Sequence, residues 1–148
     1  MIPKEALDQT DAMDAFLTAG IWAGELTNPN AAARHLAIMT QFMGTWENSG
    51  SFMHQASCWS DALEEVEPAL NFFGCTETVS LLRQALALSE QIDEVEDSDL
   101  DDEAVDARVS ELLEAGNELD RLACKDTPYE KLVAVIRSKV GEFGENSE

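Results

Sequence analysis

The sequence predicts an all-α protein that folds as a single compact domain, residues 1–148, of six or seven helices. Three observations carry that prediction. Apolar residues recur at spacings of three and four while strand-like alternation is nearly absent. Capping residues precede the apolar runs and glycines follow them. The 148 residues, 45% of them hydrophobic, suffice for one core, burying roughly two thirds of the unfolded surface. No internal repeat or linker divides the chain.

Taken in order, Pro3 suits a first helical turn, and Leu7, Phe16, Ala19 and Ala23 give the opening helix a buried side that ends in GELTNPN, Gly24–Asn30. A second helix is expected near Pro29, capped by Asn28. Its run AAARHLAIMTQFMGTW sets Leu36, Met39, Met43 and Trp46 in one stripe with Ile38 and Phe42 beside it, the pattern of a central core helix. It stops in the turn at Glu47–Ser51, where Gly50 places a tight turn next to the ring of Phe52. After a short segment containing Phe52 and Trp59, Ser60 or Asp61 caps a helix through Val66, Leu70 and Phe73 to Gly74, with a kink expected at Pro68.

Thr76 is expected to cap the next helix, in which Val79, Leu82 and Leu86 form one face and Leu81, Ala85 and Leu88 widen it. The stretch DEVEDSDLDDE reads either as a solvated loop or as a helix start, where acids suit the dipole. Val105, Val109, Leu112, Leu119 and Leu122 continue a helical stripe beyond it. Asp126 or Thr127 with Pro128 opens a last helix, with Leu132, Val133, Ile136 and Val140 facing inward, and the tail from about residue 141 is expected to fray.

Charge is the distinctive feature. Thirty Asp and Glu stand against nine Lys and Arg, a formal charge of −21. That field repels nucleic acid phosphates and anionic headgroups, so direct DNA, RNA or membrane binding is disfavoured and a cation or basic protein is the natural partner. From Glu90 to Asp120, fourteen carboxylates share thirty-one residues with one base, Arg108. The bland reading is a solvated face that aids solubility or suits high salt. The sharper one is a row of charges: neighbours on a helix face have Cβ atoms about 5–6 Å apart, similar in scale to phosphates along a strand.

That electrostatic reading places the partner-binding residues at Asp93, Glu94, Glu96, Asp97, Asp99, Asp101, Asp102, Glu103 and Asp106, with Glu111, Glu114 and Glu118 extending the row at spacings of three and four. Glu64, Glu65 and Glu67 form a second, smaller cluster.

Other chemistries leave weaker marks. A calcium loop begun at Asp97 would have Asp102 where glycine belongs and Arg108 where the closing Glu belongs, so the pattern fails. His54 and Cys58 lie four apart, but no second pair at zinc spacing follows. His35, amid an apolar helix, reads as a satisfied, partly buried side chain. Without a nucleophile-elbow serine, a cysteine motif or a phosphate cradle, no catalytic residue, metal or cofactor is assigned, and the chain is read as a non-enzyme. Trp22, Trp46, Phe52, Trp59, Phe72 and Phe73 read as core rather than as a ligand pocket. Cys58, Cys75 and Cys124 are odd in number and irregular in spacing, which argues for buried thiols rather than a disulfide framework. With no apolar run of membrane length and no signal-like N-terminus, a cytoplasmic protein is expected.

The stretch His35 to Leu88, HLAIMTQFMGTWENSGSF followed by DALEEVEPALNFFGCTETVSLLRQAL, resembles the bacterial DNA mimic protein family, in which an apolar helix, an Asn-Gly-Gly-Phe-like turn and two further helices follow one another. LDRLACKDTPYEKLVAVI is similar in placement to that family's closing helix, so the likeness covers Ala32 to Ile136. The resemblance implies a small, acidic, often dimeric helical protein that occupies the DNA-binding surface of a transcription factor or similar protein. It transfers no individual acid. A homodimer would lengthen the acidic row, although no residue pattern demonstrates one. The competing reading is an acidic adaptor or chaperone that grips its partner through an apolar groove.

Overall fold

The structure, a computed structural model, describes residues 1–147. Among these the chain forms α1 (Lys4–Leu7), α2 (Ala12–Gly24), α3 (Ala31–Ser49), α4 (Phe52–Cys58), α5 (Leu63–Phe72), α6 (Thr76–Glu96), α7 (Asp102–Asp126) and α8 (Tyr129–Ser138). The first is a single turn, leaving seven longer helices. Two short 3-10 turns, Ser60–Ala62 and Val140–Glu142, follow α4 and α8. The fold is all-α, as predicted, and one isolated β-bridge joins Pro29 to Glu145.

Helix α3 is the hub, packing against α2 on one side and α5 on the other, while α4 supports the hairpin formed by α6 and α7, and α8 closes over α2. Leu36, Met39, Phe42 and Met43 of α3 are buried, as its stripe predicts. Phe16, Phe42, Phe52 and Phe73 have no accessible surface, and Trp46 packs on Phe52 with ring centroids 5.1 Å apart across the Gly50 turn. Gly50 has φ +82°, which a side chain would strain. At Gly20 the reason is proximity instead: a Cβ there would fall 1.9 Å from Thr40 Oγ1, so glycine sets how closely α2 approaches α3.

Several local expectations are corrected, mostly at helix starts. The opening helix is two pieces, because Asp11 accepts the Asp14 amide at 3.0 Å and starts α2 afresh. Asn30 rather than Asn28 caps α3, taking the Ala33 amide at 2.9 Å. The segment after Gly50 is itself a helix, α4, capped by the Ser51 hydroxyl on the His54 amide at 3.1 Å. Neither Ser60 nor Asp61 caps α5, since both lie in a 3-10 turn that leads into it. Helix α5 continues past Pro68 to Phe72.

Thr76 is already inside α6, and the carboxylate that caps this helix comes from far along the chain. Asp126 Oδ2 accepts the Thr78 amide at 2.8 Å and the Thr78 hydroxyl at 2.7 Å. Thr127 is buried and turned back on the Ala123 carbonyl at 2.9 Å, so α8 begins behind Pro128 without a side-chain cap. Val140, expected inside, is 37% exposed.

The tail differs most from expectation. Phe143 is buried against Phe72, the Asn30 amide donates to the Gly144 carbonyl at 2.9 Å, and the Asn146 amide donates to the Asn28 carbonyl at 2.9 Å. Residues 142–146 are thus fastened to the entrance of α3 rather than frayed. Of the three cysteines, only Cys75 is buried; Cys58 and Cys124 are exposed and all three are free thiols.

Candidate partner-binding site

Helices α6 and α7 pair as an antiparallel hairpin joined by the five residues Asp97–Asp101. Its lower half is built into the core through Leu81, Leu82 and Ala85 of α6 and Leu112, Gly116, Leu119 and Ala123 of α7. From Leu86 to Glu111 no residue is fully buried. Ile92, Val95, Val105 and Val109 are half-buried there, a seam with just enough apolar surface to hold the two helices together.

The acidic run DEVEDSDLDDE divides in three: its middle is the expected exposed turn and its last residues the expected helix start, but its first four residues are the end of α6, which neither alternative foresaw. Helix α6 runs on through Asp93, Glu94 and Glu96, the turn carries Asp97, Asp99 and Asp101, and α7 opens with Asp102, Glu103 and Asp106. Asp101 caps α7, accepting the Ala104 amide at 2.8 Å. All twelve acids named from the sequence are exposed. The first nine come together around one end of the hairpin, whereas Glu111, Glu114 and Glu118 lie farther along α7, toward the core.

Electrostatics separate these acids into kinds. Asp102 and Glu103 sit in the first turn of α7, where the helix dipole favours them. Asp93, Glu94 and Glu96 sit at the carbonyl end of α6, where it opposes them, and that last turn contains no basic residue. Glu111 pairs with Arg108 at 2.9 Å and Glu118 with Arg121, both within one helical turn. A hydrogen bond from Arg121 holds the Glu118 carboxyl below its ordinary range. Two of the three extending acids are therefore partly neutralised, and the uncompensated charge concentrates at the hairpin tip. None of the nine tip acids forms an ion pair among the described residues.

The second acidic cluster is divided. Glu67 receives a two-pronged hydrogen bond from Arg83, at 2.9 and 3.0 Å. Glu64 and Glu65 line a groove of about 490 Å³ with Arg34, His35, Ile38 and Leu26, between α3, α5 and the end of α2. His35, read as satisfied, has no partner for its Nδ1 among the described residues. Burial, and secondarily Arg34, lower its pKa and favour the neutral ring.

Sequence reasoning missed a second cleft, of about 330 Å³, between α3 and α7. Met43, Trp46, Glu47, Asp120 and Cys124 contribute to its wall. Trp46 Nε1 donates to Asp120 Oδ1 at 3.1 Å, and the Tyr129 hydroxyl donates to Glu47 Oε1 at 2.5 Å. These partners lie 74 and 82 positions apart in the chain. No local spacing announces them.

Among the described residues no three His, Cys, Asp or Glu side chains converge as a metal ion requires, and His54 and Cys58 both face solvent. No helix among them is long and apolar enough to cross a membrane. No known family model matches the chain, and no curated protein or solved structure matches it either.

Proposed function

We propose that this chain is a DNA mimic that binds a basic nucleic-acid-binding protein on its DNA-contacting surface and inhibits it competitively. The observation that carries the reading is the set of nine exposed, unpaired acids around the α6–α7 tip, three of them at a helix end where their charge is unfavourable. A surface shaped only for solubility has no need to place carboxylates against a helix dipole. A partner's Lys and Arg residues would relieve that repulsion and gain the contacts they otherwise make to phosphates. The likeness of Ala32 to Ile136 to the bacterial DNA mimic family points the same way.

The test is capture of a partner at low salt, followed by DNA-binding assays on the captured protein. Added chain should displace DNA competitively, and inhibition should fall steeply between about 50 and 200 mM salt. Substituting Asp97, Asp99, Asp101 and Asp102 by Asn should abolish it. Binding that survives molar salt and leaves DNA in place would sink the proposal.

One observation favours a second reading, an adaptor that seats a partner in an apolar groove. The α3–α5 groove presents Leu26, Ala37, Ile38 and Pro68 beside its charged rim. If that reading holds, Ile38→Glu eliminates binding while the four Asn substitutions leave it intact.

A further inference from the structure

We infer that the cleft between α3 and α7 is a receptor for one Lys or Arg side chain of the basic partner; the inference rests on the reading that such a partner exists. The lining is that of a cation site. Met43 and Trp46 provide apolar wall, Glu47 and Asp120 provide two carboxylates, and no Lys or Arg contributes to it. A long cationic side chain matches such a wall, stem against the apolar part and head toward the carboxylates or the indole.

The two carboxylates are oriented without being neutralised. Asp120 is held through Oδ1 by the Trp46 indole, and Glu47 through Oε1 by the Tyr129 hydroxyl. Both donors are uncharged. Burial and then the Glu47 contact raise the Tyr129 pKa, so its hydroxyl stays a donor. Neither acid takes part in an ion pair among the described residues, in contrast to Glu67 with Arg83 and Asp126 with Lys131. One oxygen of each is thus fixed and the other has no donor among the described residues, an arrangement in which an incoming ammonium or guanidinium meets preset acceptors.

Size and position agree with a side chain as occupant. At about 330 Å³ the cleft lies at the small end of ligand pockets. Asp120 and Cys124 follow Asp102, Asp106 and Leu113 along one side of α7 at intervals of four and seven residues. Leu113 on that line is 48% exposed. From Asp106 to Asp120 the rise is roughly 21 Å, so one partner element can engage the tip and fill the cleft together.

The experiment uses the full ¹⁵N-labelled chain and N-acetyl-arginine N-methylamide as the probe, repeated with the lysine compound and with the uncharged norleucine compound. The reporter is the Trp46 indole N–H resonance, identified with Trp46→Phe. We expect a saturable shift with the cationic probes and none with norleucine. Asp120→Asn and Glu47→Gln should each weaken binding about tenfold, because each keeps the acceptor for Trp46 or Tyr129 and loses only the charge. No saturable shift, an equal response to norleucine, or unchanged binding in both variants would overturn the inference. The tip variant with four Asn substitutions separates the two readings: if it still titrates but no longer captures partner, the cleft and the tip both hold. Partner capture in the absence of any cleft titration defeats the cleft alone, whereas cleft titration in the absence of any basic partner defeats the partner reading and, with it, a partner side chain as the occupant of the cleft.

Discussion

The two ends of the α6–α7 hairpin use the same side chain in opposite ways. At the tip, nine carboxylates stand in solvent without a pairing cation among the described residues. At the base, one carboxylate does the work of several bonds: Asp126 caps α6 through Thr78 and receives Lys131 Nζ at 2.9 Å. Burial alone would raise the Asp126 pKa, but hydrogen bonds from Thr78 and Lys131 outweigh it and leave it below the ordinary value. Acidity here is therefore not one property. Charge that is compensated holds the fold, and charge left uncompensated is available to a partner.

The largest expected effect lies at the base. Asp126→Ala removes the α6 cap and the carboxylate partner of Lys131, and should cost about 2–3 kcal/mol in chemical denaturation. The same residue sets a pH signature. Its folded pKa is lowered, so its contribution is complete above the unfolded carboxylate value and is lost as pH falls through the lower folded value. An acid titration of stability in which Asp126→Asn retains this limb would break the comparison.

Halfway along, Gly116 of α7 faces Met53 of α4, and a Cβ there would fall 2.2 Å from its sulfur. Because a methionine can swing aside, Gly116→Ala should destabilise by about 1 kcal/mol. Met53→Ala in the same chain should reduce that penalty, a coupling that a double-mutant cycle measures.

At the tip, the four Asn substitutions should change stability by less than about 0.5 kcal/mol at physiological salt, since an asparagine in place of Asp101 can still cap α7. The wild-type melting temperature should rise as salt increases from low ionic strength, and the substituted chain should show a smaller rise. A flat or falling wild-type curve would mean that the tip charges do not repel as described.

The all-helical class, the central helix and its buried stripe were legible because helical periodicity is a local signal. So was the position of the acids, which declares itself in composition. Helix starts were not, for a physical reason: Asn28 and Asn30 are chemically equivalent caps, and only the point at which the backbone turns helical, Ala31, decides that Asn30 serves. Asp126 reads locally as the start of α8, yet its carboxylate serves α6, 48 positions away. The Trp46–Asp120 and Tyr129–Glu47 pairs that shape the α3–α7 cleft were invisible for the same reason. They exist only once α3, α7 and α8 have packed.

The fastening of residues 142–146 to Asn28–Asn30 bears on how the protein folds. Most of the helix pairings here join neighbours in sequence, which form quickly, but this clasp closes a loop of well over a hundred residues, with Glu145 Oε2 reaching the Asn28 amide 117 positions back. It should form late and release early, giving amides at Asn30 and Asn146 less exchange protection than the core of α3. Removing residues 142–148 would also uncover the site of Phe143 beside Phe72, so the central helix would keep its stripe but lose the latch at its entrance.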